Sequence, residues 1–305
     1  MVSSYNQCWW VRDQVLGQPR QVWVFKEQAA ILTGVTNPED GIGTYFKAQP
    51  GESFLECIGR LTSWLKPEAT DGSFHEMKLG PAEFYPRMAR PLALAAVPTL
   101  WAPNFNTEKA YVASARVQLT LLVRKLDLIC QTVQPSDKTM DVYGHEIRNL
   151  LLLAATEAEM HWRGILKANG SSAAKPSSRN FVKLMQPLKL CEYSVSFPNF
   201  PELPPFKPFV GWLKEDPTNS LEWYAAYHGV KHNREQEFMR GTLKLAFTAV
   251  SACISLLVAQ FGECALGAEL ASSVTVSPPS WSIPDMYFQK MPDADWTPVF
   301  HPGLD

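Results

Sequence analysis

No two of the six cysteines form a C-x-x-C pair: Cys8, Cys57, Cys130, Cys191, Cys253 and Cys264 are scattered along 305 residues. The scatter argues against a cysteine-rich zinc site and a disulfide framework, and it suits a reducing cytoplasm. An excess of one charge is missing too. Lys and Arg number 28 against 30 Asp and Glu, a net charge of −2, and there is no block of like charge. No global field therefore attracts nucleic acid, so any such contact needs a local basic patch. "MVSSYNQCWWVRDQ" lacks a basic n-region and an apolar h-region, so the N-terminus is not expected to act as a signal peptide.

Common catalytic signatures are absent as well. "GIGTYF" at Gly41 offers G-x-G without the third glycine, and there is no P-loop. "HEMKL" at His75 and "HEIRN" at His145 begin like zinc-protease motifs and lack the second histidine. No G-x-S-x-G occurs. These gaps argue against dehydrogenases, NTPases, zinc proteases and α/β-hydrolases.

What is present is apolar: hydrophobic residues make up 46% and charged residues 19%, the balance of a chain that buries a sizeable core. The longest uncharged run, "LAFTAVSACISLLVAQFG" from Leu245 to Gly262, is about the minimum to span a bilayer. Thr248, Ser251 and Ser255 recur along it at helical spacing and mark a weakly polar stripe. A buried core helix is the expectation, with no membrane partner.

The pattern predicts a mainly α protein: a helical bundle preceded by an irregular β-containing segment and closed by an extended tail. Residues 1–105 are rich in Trp, Pro and Gly; "QVWVFKE" alternates as a half-buried strand, with "LGQPR" as the turn into it. Prolines at 81, 86, 91, 98 and 103 prevent a long helix there. The bundle is expected over 106–266. Its first helix carries Val112, Ala115, Leu119, Leu122, Leu126, Ile129 and Val133 on one stripe, with Asn106 or Thr107 as N-cap. A second, antiparallel helix places Ile147, Leu151, Ala154, Ala158 and Ile165 on one face and stops at Asn169-Gly170. A proline-rich strap at about 168–217 follows, and residues 267–305 form the packed tail.

The candidate chemistry lies in "YHGVKHNREQEF", Tyr227 to Phe238. A break near Gly229 and a long helix restarting at Arg234 are expected, because Asn233 and Gln236 have capping-box spacing. Lys231 and His232 would then flank free amides at a helix N-terminus, a place that attracts phosphate, and His232 would serve as general acid or base. The structural alternative is a junction at which Lys231 and Arg234 snorkel and His232 is a satisfied polar residue. On the second helix Arg148 and Glu159, eleven residues apart, share a face; Glu157 and His161 are i,i+4 neighbours on another. They are either surface ion contacts or polar faces turned toward a partner helix. His228 and His232, also i,i+4, would chelate a metal with Glu157 and His161 only in an unbroken helix. The preferred break argues against this, so no metal or cofactor is expected.

"YGHEIRNLLLLAATEAEMHW" followed by "WYAAYHGVKHNREQEFMRGTLKLAFTAV" resembles bacterial HEPN-type helical domains, through "RNLL…E.E" and a later "Y…VKH.R" before a long apolar helix. The resemblance covers roughly residues 106–262. It implies a four- or five-helix, often dimeric bundle. In active members an Arg and a His at the dimer interface form a metal-independent ribonuclease site, and many members serve toxin–antitoxin or phage-defence systems. The family's arginine four to six residues before a histidine is absent here, so a rearranged set is implied. In it His232, Arg234 and Arg148 would be catalytic, Lys231, Asn233, Tyr227 and His228 would hold RNA, and Glu157, Glu159 and His161 would support them. The other reading is a non-catalytic interaction protein that forms a homodimer or holds a protein partner.

Overall fold

The alternation legible in "QVWVFKE" turns out to belong to a complete antiparallel sheet. The structure, a computed structural model, describes residues 7–12, 19–35, 37, 39, 43–61, 74–92, 100–288 and 297–304, without the side chains of 12, 19, 20, 61, 100, 101 and 234. Most of "LGQPR" and the start of "GIGTYF" lie outside the described residues. The chain divides into two compact units, each built from separate segments: 1–84, 90–99 and 281–299 form one, and 85–89, 100–280 and 300–305 form the other.

In the first unit, strands β1 (Gln7–Arg12), β2 (Pro19–Lys26), β3 (Ala29–Leu32), β4 (Tyr45–Lys47) and β5 (Phe74–Glu76) lie in the order β4-β3-β2-β1-β5. Every pairing in it is antiparallel. Side chains alternate between its two faces, as period 2 requires. Val11 and Trp23 join Phe54, Cys57 and Ile58 of helix α1 (Phe54–Leu61) on one face. Cys8, Trp10, Val22 and Val24 meet Met77 and Phe288 on the other. The β2–β3 connection has two residues, Glu27 and Gln28, at φ 50° and 60°. Two successive left-handed residues match the twist of a tight hairpin, here without glycine.

The expectation of a mainly α chain is therefore wrong. The protein is mixed α/β, 46% helical and 15% strand, with a five-stranded antiparallel sheet in its N-terminal region. Sheet pairing is non-local: β1 takes β5 as its second neighbour across some sixty intervening residues. No window of local pattern displays such a partner.

The second unit carries the long helices α2 (Lys109–Cys130) and α3 (His145–Ala168), then α4 (Ser178–Phe181), α5 (Glu222–His232), α6 (Arg234–Glu237), α7 (Leu243–Phe261) and α8 (Gly267–Ser273). Val112 through Ile129 and Ile147 through Ile165 are buried along the expected stripes of α2 and α3. Gly170, at φ 78°, ends α3 where "NG" predicts it. The N-cap of α2 is Glu108 rather than Asn106 or Thr107. The uncharged run becomes α7, a core helix with 89% of its apolar window buried. Ala and Ser at close spacing let α2, α3 and α5 pack directly against it.

Within the proline-rich segment Ser178–Phe181 is helical, and the part around Ser194–Ser196 and Phe206 runs extended over α7. Val195 and Phe206 exchange backbone hydrogen bonds at 2.9 and 2.8 Å. Phe197, Phe200 and Phe206 surround Phe247 of α7, with Phe206 stacked on it at 5.2 Å. Strand Ser194–Ser196 pairs with Thr275–Ser277, so the strap is anchored at both edges.

Candidate functional site

Gly229 does not break α5. The helix continues to His232, where Asn233 leaves helical geometry at φ −136°, ψ 68°. A Cβ at Gly229 would lie 2.8 Å from Glu237 Oε2 and 3.3 Å from Arg240 Nη1. The glycine makes room for the Glu237–Arg240 ion pair, closed at 2.7 Å, to fold back over α5. Asn233 Nδ2 donates to Gln236 Oε1 at 2.8 Å without capping a backbone amide, and α6 lasts one turn. The long helix begins only at Leu243. Lys231 and His232 thus occupy the last turn of α5, where carbonyls rather than amides are unpaired and the dipole is negative. The expected anion-binding helix N-terminus is not formed.

An unbroken α5 instead aligns Tyr224, His228 and His232 at i, i+4 and i+8, flanked by Tyr227 and Lys231. The Tyr224 ring meets His228 edge-on at 4.7 Å, and the His228 and His232 rings stack with centroids 6.0 Å apart. Lys231 Nζ donates to the Tyr227 hydroxyl at 2.8 Å and stands 4.9 Å from that ring's centroid. The α3 side supplies Glu159 and Arg163. The Tyr224 hydroxyl donates to Glu159 Oε1 at 2.9 Å, and Arg163 Nη2 reaches Glu159 Oε2 at 3.2 Å.

Burial is the main force on His228 and lowers its pKa; the Glu159 carboxylate opposes this, and His232 and Lys231 add to it. His228 is therefore neutral at neutral pH, and its Nε2 is buried without a hydrogen-bond partner. The bond to Tyr227, first among several causes, raises the Lys231 pKa and keeps the amine charged. One carboxylate, Glu159, thus acts on Arg163, Lys231 and His228, and His232 stacks on His228.

The other expected residues lie elsewhere. Arg148 Nη2 donates to the Val230 carbonyl at 3.3 Å and serves as a C-terminal cap for α5. Along α3 it is eleven residues from Glu159, about 16 Å at 1.5 Å per residue. Asn233 is exposed at the helix end. The Arg234 side chain lies outside the described residues.

Glu157 and His161 face away from α5, into a polar knot between α2, α3 and α7. Gln260 Nε2 donates to the Leu256 carbonyl at 2.9 Å and to His161 Nδ1 at 2.8 Å, and the Tyr111 hydroxyl is 3.2 Å from the same nitrogen. The amide can satisfy both only if Nδ1 accepts, so the network assigns the proton to Nε2. Nε2 faces Glu157 Oε1 at 3.6 Å. His161 is fully buried, and desolvation, helped by Arg87, lowers its pKa to about 3, while burial raises that of Glu157. The contact joins a neutral histidine to a carboxyl and is not an ion pair.

No family model, curated protein or solved structure matches the chain. Arg163 and Tyr224 are the site members that sequence reasoning missed. Their signals were present, since Arg163 follows Glu159 by four residues and Tyr224 precedes His228 by four. The misplaced break at Gly229 hid the ladder along α5.

Proposed function

We propose that the α3–α5 face binds RNA and cleaves it without a metal ion. The carrying observation is the gathering of Arg163, Lys231 and His228 around Glu159 on adjoining faces of two helices, with His232 stacked on His228. Arg163 and Lys231 hold the phosphate. Neutral His228, through Nδ1 because its Nε2 is buried, takes the proton of the ribose 2′-hydroxyl, whose oxygen attacks the adjacent phosphorus. The bond to the 5′-oxygen breaks, and that oxygen takes a proton from His232. The products are a 2′,3′-cyclic phosphate and a free 5′-hydroxyl. Stacked at 6.0 Å, the two rings are near enough to serve both oxygens of one in-line displacement. The HEPN-like resemblance of residues 106–262 favours the same reading, with His228 and Arg163 added to the implied set and Arg148 moved to a capping role. Six unpaired thiols suit a cytoplasmic setting.

An RNA oligonucleotide incubated with the full chain and EDTA tests this. The expected result is cyclic-phosphate product, with the rate reduced about 10²- to 10⁴-fold in His228→Ala and in His232→Ala. Cleavage that persists unchanged in both variants, or no binding of RNA by the wild type, removes the assignment.

A separate observation favours a second reading, a non-catalytic interaction protein that pairs with its own copy. Val117, Leu121 and Leu128 of α2 and Leu153 and Met160 of α3 are each between 47% and 62% exposed. They follow heptad-like spacing on neighbouring helices, an unusual concentration of apolar surface.

A further inference from the structure

At the opposite end of α5 a groove of about 630 Å³ opens between the proline strap, the turn joining α2 to α3, and the first turns of α5 and α7. Its volume falls in the range of small-molecule sites, roughly 300–1,000 Å³. We propose that it binds a small organic cation, an alkyl- or aryl-ammonium.

The walls supply the apolar part: Met140, Leu203, Pro204, Pro205, Phe206 and Leu245 line the groove. The strap side is held in place, because Phe206 is bonded to Val195 through its backbone and Trp223 Nε1 donates to the Pro208 carbonyl at 2.8 Å.

The polar part is biased toward accepting. Pro204, Pro205 and Pro208 have no N–H, so this stretch of wall offers few donors, although the Pro208 carbonyl is taken by Trp223. Asp137 and Asp141, from the α2–α3 turn, add two carboxylates to the lining. Neither takes part in an ion pair among the described residues. Of the lining cations, Lys244 is committed to Glu222 at 3.2 Å, and Lys207 is exposed on the strap. The lining thus carries three carboxylates against two amines. An anion would meet more carboxylates than amines. An ammonium finds acceptors, two unpaired carboxylates and an apolar bed for its hydrocarbon.

Titration calorimetry with hexylammonium, hexanol and hexanoate distinguishes charge from hydrophobicity. The wild-type chain is expected to bind hexylammonium about tenfold more tightly than hexanol, with hexanoate weakest. Asp137→Asn combined with Asp141→Asn, both exposed changes, abolishes the preference while leaving hexanol binding intact. Equal binding of hexanoate and hexylammonium, an unchanged preference in the double variant, or no saturable binding by the wild type overturns the proposal. His228→Ala retains hexylammonium binding, so loss of the RNA reading and loss of this one are distinguishable.

Discussion

His161 shows how an aqueous-looking side chain becomes a core residue. Its ring is satisfied at Nδ1 by Gln260 and Tyr111, and its neutral form is held by burial. The unfolded chain returns this imidazole to its ordinary range near 6.5, well above about 3 in the fold. A depressed folded pKa means that stability is complete above 6.5 and is lost as pH falls toward 3, by at most about 1.4 kcal/mol per pH unit for one proton. His228 contributes in the same sense, and Glu157, whose pKa is raised, in the opposite sense. Urea midpoints of the wild type are expected to fall between pH 6.5 and 4.5, and those of His161→Asn to fall less. Equal slopes would show that the ring is not held neutral. Glu157 and His161 were legible as a pair; their burial was not, because α2 and α7 meet at that face and only tertiary packing puts them there.

Two helical glycines differ in what presses on them. Gly229 of α5 faces the half-exposed Glu237–Arg240 ion pair, which a methyl group displaces at little cost, so Gly229→Ala is expected to stabilise by at most about 1 kcal/mol through helix propensity. Gly164 of α3 lies against Arg87, whose guanidinium is fixed by Glu108 at 2.7 Å and by the Tyr111 ring at 4.0 Å. Gly164→Ala is expected to destabilise despite the same propensity gain. Thermal melting of the two variants checks the sign of each. The pair also explains what the sequence could and could not reveal at the scale of elements. The stripes of α2 and α3 and the stop at Gly170 follow from spacing alone; that the proline-rich strap lies over α7 does not. The end of α5 does not, because the intrinsic penalty at Gly229 is small beside the packing of its buried neighbours Tyr227 and Val230.

For the whole molecule, long helices announce themselves by period, whereas a sheet of strands three to eight residues long announces itself only where one strand alternates. Only β2 did so clearly. The same scale holds the question of self-association. Charges flanking the exposed α2–α3 stripe are already paired, Arg124 with Glu269 at 2.6 Å and Lys125 with Glu146 at 2.6 Å, so the face can meet its own copy without like-charge repulsion. Sedimentation equilibrium of the wild type is expected to show a dimer, and Leu121→Glu a folded monomer. A monomeric wild type, or a dimer that survives the substitution, rules out this face as the contact.

The division of the first unit into separate segments bears on how the chain is made. Phe288, which covers Trp10 and Val22, is translated roughly 200 residues after Met77, at 5–20 residues per second a delay on the order of 10–40 s. During that interval this face of the sheet lacks Phe288, and the long helices α2, α3 and α7 are made before it arrives. The last apolar residue to cover that face, Phe288, thus arrives near the end of the chain's synthesis.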